Sequence, residues 1–237
     1  MTENIENNWY IKSRYLLLIL ITSFLISIIL CFSIFSDYLT DSPKPLTENL
    51  FGYIWYITLF FFIYLLSKKA SINWNRLFGE FKLEYITSKY ILIVLPLVAI
   101  SLFGTFLLFY PLSFWIPDFV KYWLIEDDIN VIWLKGENYK LANILSFIDI
   151  VIIAPIIEEI FFRGLLFTSL AKKWNIQKAI LLSSIVFGIA HTDIIGATIF
   201  GIVLSTIYIK SKSLFAPIII HIANNALAFI ISSLFIL

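Results

Sequence analysis

Six residues in an otherwise apolar sequence have the types and spacing to do chemistry. Glu158-Glu159-x-x-x-Arg163 places two carboxylates and a guanidinium between Ile150-Val151-Ile152-Ile153-Ala154-Pro155-Ile156-Ile157 and Leu165-Leu166-Phe167. His191 closes Phe187-x-x-x-His191, and His221 opens His221-x-x-x-Asn225. These are the only 2 histidines of the chain, and both fall in hydrophobic stretches. Ionisable groups in hydrocarbon are costly and face a protein interior or a water-filled cavity, where they mark function.

Their spacing divides the labour. On a helix, Glu159 and Arg163 form an i, i+4 pair on one face. Glu158 is rotated about 100° from Glu159 and is free to point into a bundle. A glutamate and a histidine can activate a water for attack on a carbonyl. A histidine N–H and an asparagine amide, here His221 and Asn225, can donate to the developing oxyanion. Alternatively, Glu158, His191 and His221 supply one oxygen and two nitrogens, the ligand set of a catalytic zinc site with an open position. The cofactor is therefore either a divalent metal such as zinc or none. Serines and threonines are scattered through the spans, but none stands a helical turn (i±3 or i±4) from a histidine, which favours activated water over a covalent acyl-enzyme.

The elements that must position these groups are membrane helices. Of the 237 residues, 60% are hydrophobic and 14% charged, at a mean hydropathy of +0.93. Soluble domains carry roughly 25% charged residues. The apolar runs predict an all-α, polytopic transmembrane bundle of about seven spans, near residues 15–36, 50–67, 89–110, 143–171, 178–192, 194–210 and 214–236. The first run is too long for a typical signal-peptide core and is read as a span. The fourth includes the charged stretch and would reach about 43 Å if helical throughout. Net charge is +1, which gives nucleic acid no electrostatic footing as a partner.

Orientation follows from the basic residues. With the N-terminus inside, 12 lysines and arginines fall on the cytoplasmic side and 4 outside, with Arg163 left in a span. The expected topology is N-in, C-out, in the cell (plasma) membrane. Residues 111–140 mix aromatics with charges, as an outer interfacial segment would, and residues 68–88 resemble them on the inner side. The division expected is 1–140, N-terminal helices and interfacial segments, and 141–237, a catalytic helical core.

Depth brings four of the six residues, Glu158, His191, His221 and Asn225, into one layer. Spans four and five form a hairpin across Lys172–Gln177. Glu158 and His191 each lie 13 residues from its cytoplasmic turn, about 20 Å deep. His221 and Asn225 enter the same layer from the seventh span, about 12 and 18 Å in. Small residues (Gly164, Gly188, Gly196, Ala197, Gly201 and Ser205) allow close approach nearby. Pro155, one turn before Glu158, is expected to kink the helix and open backbone carbonyls near the site. Asp149 is read as structural or paired in the bundle, Asp193 as a turn residue, and the single Cys31 as an apolar filler.

In this order, each motif in a hydrophobic span, Glu158-Glu159-x-x-x-Arg163, Phe187-x-x-x-His191 and His221-x-x-x-Asn225 resemble the signature of the CPBP family. Its members are CAAX prenyl endopeptidase-like and bacteriocin-processing membrane proteins, also called Abi. The resemblance covers roughly residues 145–230. It implies an α-helical intramembrane endopeptidase, glutamate- or metal-dependent, working in the cytoplasmic half or middle of the bilayer on a peptide or membrane-protein substrate. By position, Glu158 resembles the water-activating glutamate and His191 its partner. Glu159 and Arg163 resemble the supporting residues, and His221 and Asn225 the pair that holds the oxyanion or orients water. The alternative is a non-enzymatic bacteriocin self-immunity or interaction protein in which the same residues are structural.

Overall fold

A computed structural model describes residues 10–41, 44–86, 140–191 and 193–236, with isolated positions between 92 and 99. The described chain is all helix, without a strand among these residues. Helices α1 (Ser13–Asp41) and α2 (Lys44–Ala70) pack along one another. A short α3 (Trp74–Phe78) follows. Then comes one continuous rod: α4 (Lys140–Phe147), a π-helical stretch (Ile148–Ile153), α5 (Ala154–Glu159), a second π-helical stretch (Ile160–Phe167) and α6 (Thr168–Lys173). Helices α7 (Ile176–Ile189), α8 (Ile194–Ser211) and α9 (Phe215–Ile236) complete the bundle. Six of the seven expected spans are thus present as helices, and the fourth is helical from end to end. The span at 89–110 and the interfacial segment at 111–140 lie essentially outside the described residues.

Among the described residues, three helical segments are long and apolar enough to cross a membrane: Ser13–Ser33, Asn49–Ala70 and Ile194–Ser211. Most of the side chains they turn outward are apolar, including Leu18, Ile21, Phe32, Ile57 and Phe61, with exposed charges such as Arg14, Lys68 and Lys69 near the helix ends. Such a surface suits lipid, where the only other demand is that each backbone polar group be bonded internally, as a helix does. Short turns join α7 and α8 to their neighbours, and side chains cap both. The Asn175 carbonyl accepts from Lys178 N at 2.8 Å, and Asp193 Oδ1 accepts from Gly196 N at 3.0 Å. Asp193 is thus the N-cap of α8.

The rod is the centre of the core. Phe161, Leu165, Leu166 and Phe167 are buried with Leu204, Leu214 and Ala216 around them. Helices α7 and α8 lie close where glycines face the partner: a Cβ on Gly188 would strike Thr198, and one on Gly201 would strike Ser184. The segment after α2 packs inward more than an interfacial reading suggests. Leu77 and Tyr85 are buried, and the Phe78 carbonyl accepts from Leu214 N and Ser213 Oγ, both at 2.9 Å. Cys31 is buried, as a filler would be.

Candidate active site

Glu159 and Arg163 form the expected i, i+4 ion pair, with Nη1 2.7 Å from Oε1. Both are sealed from solvent, at 0% and 1% exposure. The guanidinium also donates from Nη2 to the Gly201 carbonyl at 3.3 Å and lies 4.4 Å from the centre of the Phe187 ring. Arg163 therefore ties the rod to both α7 and α8. Glu159 Oε1 additionally receives His221 Nδ1 at 2.9 Å, while its Oε2 has no hydrogen-bond partner among the described residues.

Glu158 turns the other way, as the 100° step requires. Its Oε2 lies 3.7 Å from His191 Nε2 and 3.9 Å from His221 Nε2. Carboxylate and imidazoles come from the rod, the end of α7 and α9. Glu158, His191 and His221 thus come within a side chain's reach of one another.

The histidines are oriented by their other nitrogen. His191 Nδ1 is 2.7 Å from the Phe187 carbonyl, which can only accept, so Nδ1 carries the hydrogen. His221 Nδ1 likewise faces the ion-paired Glu159 carboxylate. In the neutral imidazoles both lone pairs are then on Nε2, directed at Glu158. The i, i+4 spacing of Phe187 and His191 is what makes the first of these bonds possible. The Phe187 ring also packs 4.2 Å from the His191 ring, and Phe200 meets His221 edge-on at 4.9 Å.

Asn225 goes elsewhere. Its Nδ2 donates to the Ile150 carbonyl at 2.8 Å, and its Oδ1 faces Asn224 Nδ2 at 3.3 Å. The cause is in the rod. Ala154 N bonds to Asp149 O, an i→i−5 step. In that register the next N–H would satisfy Ile150, but residue 155 is proline and has none. The carbonyl that Pro155 was expected to free is Ile150's, and Asn225 fills it. Asn225→Ala is therefore expected to cost about 1–3 kcal/mol by leaving a part-buried carbonyl without its donor. Pro155→Ala restores a backbone donor. A double-mutant cycle by thermal unfolding in detergent should show the two positions coupled by at least about 0.5 kcal/mol. Strict additivity would refute the tether.

Tyr56 completes the cluster and was not anticipated from sequence. Its hydroxyl donates to Glu158 Oε1 at 2.7 Å from α2. Asp149 is buried against Gly52 of α2, and its Oδ1 has no hydrogen-bond partner among the described residues.

The donors suit a zinc ion in type: two oriented Nε2 lone pairs and one carboxylate oxygen, each histidine braced through Nδ1. Their separations suit it less. Nitrogen and oxygen ligands of tetrahedral zinc lie about 3.3 Å apart, against 3.7 and 3.9 Å. Among the described residues, no three His, Cys, Asp or Glu side chains gather as a metal ligand set. A single water about 2.8 Å from Glu158 Oε2 and from one Nε2 would subtend about 85°, an attainable hydrogen-bonding angle.

Residues 140–227, which contain every one of these motif residues, match the family described as "Type II CAAX prenyl endopeptidase Rce1-like". The match covers less than half of the chain and is a likeness of this part alone. A Bacillus subtilis (strain 168) protein described as "Putative membrane peptidase YdiL" is 38% identical over 77 residues. That match spans 31% of this chain and 32% of the relative, about a third of each. No solved structure matches significantly. The family and the relative are both described as peptidases. Tyr56, on α2, lies outside the matched residues 140–227.

Proposed function

We propose that this chain is a multi-pass intramembrane endopeptidase of the plasma membrane, oriented N-in, which hydrolyses peptide or membrane-protein substrates with water activated by Glu158. The observation that carries this is the convergence of Glu158 Oε2 with two oriented Nε2 atoms, His191 at 3.7 Å and His221 at 3.9 Å. Glu158 Oε2 takes a proton from the water as its oxygen attacks the scissile carbonyl carbon. His191 Nε2 accepts the water's second hydrogen in a hydrogen bond and aims it. His221, when protonated on both nitrogens, keeps Nδ1–H on Glu159 and offers Nε2–H to the oxyanion. The tetrahedral intermediate collapses, the C–N bond breaks, and the amine nitrogen leaves with the proton held by Glu158. Asn225 takes no part in these steps, because its amide holds the rod's backbone.

The test is direct. Purified protein is placed in lipid vesicles with a peptide library built on an about 20-residue apolar segment, with varied flanks, in water enriched in oxygen-18. Cleavage is expected, with one heavy oxygen in each new carboxyl terminus and no labelled acyl-enzyme. Activity should persist after dialysis against a zinc chelator. Failure to cut any library member would overturn the peptidase reading. Loss of activity on chelation, restored by zinc, would overturn the metal-free route.

A further inference from the structure

We infer that Tyr56 is a positioning residue of the active site, supplied by the N-terminal helices to the matched residues 140–227. The inference rests on Glu158 acting as the base. It begins with one face of α2. Asn49, Gly52, Tyr53 and Tyr56 recur at i, i+3, i+4 and i+7, a single stripe of a helix. Each meets the rod. Asn49 Nδ2 donates to the Ala142 carbonyl at 3.0 Å and its Oδ1 accepts from Ser146 Oγ at 3.0 Å. Gly52 lies against the Asp149 carboxylate, with no room for a Cβ. The Tyr53 hydroxyl donates to the Leu145 carbonyl at 3.0 Å.

Tyr56 ends the series, and its target differs in kind. Buried hydroxyls in a membrane must be bonded, and a backbone carbonyl suffices for Tyr53. Tyr56 instead places its proton on Glu158 Oε1 at 2.7 Å. That bond occupies one carboxylate oxygen and fixes the plane of the group. Oε2 is left as the oxygen facing both Nε2 atoms. The phenol is itself held. Its ring lies in near-parallel contact with Trp55, 5.4 Å between centres, and Trp55 Nε1 donates to Ser23 Oγ of α1 at 3.2 Å. A chain of contacts thus runs from α1 through α2 to the base.

The experiment compares Tyr56→Phe with Tyr53→Phe. Each removes one hydroxyl that donates to the rod from the same face of α2, so a merely structural role predicts no selective effect on Glu158. For the vesicle library cleavage, Tyr56→Phe is expected to lower kcat about 10- to 100-fold with KM within about threefold. Tyr53→Phe should stay within about twofold of wild type. A second readout needs no catalysis: the rate at which dicyclohexylcarbodiimide modifies Glu158, located by mass spectrometry. Tyr56→Phe should raise it severalfold and Tyr53→Phe should not. Equal behaviour of the two variants in both measurements overturns the inference. Retained cleavage in Glu158→Gln would instead overturn the peptidase mechanism, while the labelling comparison still reports whether Tyr56 holds Glu158.

Discussion

Glu158→Gln is expected to reduce peptide cleavage about 10³-fold while the protein folds and accumulates normally. The size follows from what the substitution removes. A positioned general base contributes about 10²- to 10⁴-fold, and glutamine cannot take a proton from water. The shape of the site survives. A glutamine carbonyl can still accept from Tyr56, now 2.7 Å from Oε1. Its amide can donate to the Nε2 lone pairs that face Oε2. Glu158 is not the partner of Arg163, so no buried cation is exposed by the change. Turnover in vesicles, with the unfolding temperature in detergent as control, separates the two effects. Wild-type turnover in this variant would remove Glu158 from the chemistry.

How much of this was legible in the sequence depends on the range of each signal. Helical periodicity operates over a few residues, so the Glu159–Arg163 pair and the opposite turn of Glu158 could be read from spacing alone. Span lengths put Glu158 and His191 about 20 Å deep, with Asn225 at about 18 Å and His221 at about 12 Å, because straight helices convert residue number into height. It is His221, the shallower of the α9 pair, whose ring comes to Glu158. Pro155 announced a freed carbonyl, since a missing N–H is a local fact. What took that carbonyl was not local. Asn225 lies in another helix and reaches Ile150 only because the rod runs in an i→i−5 register there. A motif position that resembles an oxyanion donor therefore sits on the backbone instead. Tyr56 was hidden for a different reason. The chain has 12 tyrosines among 18% aromatics, and a hydroxyl in an apolar span has no spacing that sets it apart. Only the approach of α2 at Gly52 selects it.

The two glutamates also divide stability from chemistry. Catalysis as proposed uses Oε2 of Glu158, which retains 12% exposure and access to the histidines. Glu159 has 0% exposure and organises its neighbours. Through one oxygen it balances Arg163 and sets the hydrogen position on His221. Through Arg163 it connects the rod to the Phe187 ring of α7 and the Gly201 carbonyl of α8. On the proposed mechanism, adjacent carboxylates about 100° apart on one helical turn serve a reacting water and a buried framework, on either side of the His221 ring.

Glu159→Gln should consequently unfold the protein more readily than Glu158→Gln does. Removing one partner of a buried ion pair leaves an uncompensated charge, at a cost of about 3–5 kcal/mol. Here the stranded group is Arg163, 1% exposed, with a carbonyl at 3.3 Å and an aromatic ring at 4.4 Å as its remaining partners. Neither supplies a negative charge. The same physics makes a less obvious prediction. In Glu159→Leu/Arg163→Met the charge is gone along with its partner, and apolar replacement of a buried pair is often neutral or stabilising by about 1–4 kcal/mol. The double variant should therefore be more stable than Glu159→Gln. It should still be inactive, since His221 Nδ1 loses the carboxylate that fixes its hydrogen. Thermal unfolding in detergent and vesicle cleavage read the two effects separately. A single variant as stable as wild type would show that the pair does not hold the bundle. A double variant that cleaves normally would show that His221 needs no partner.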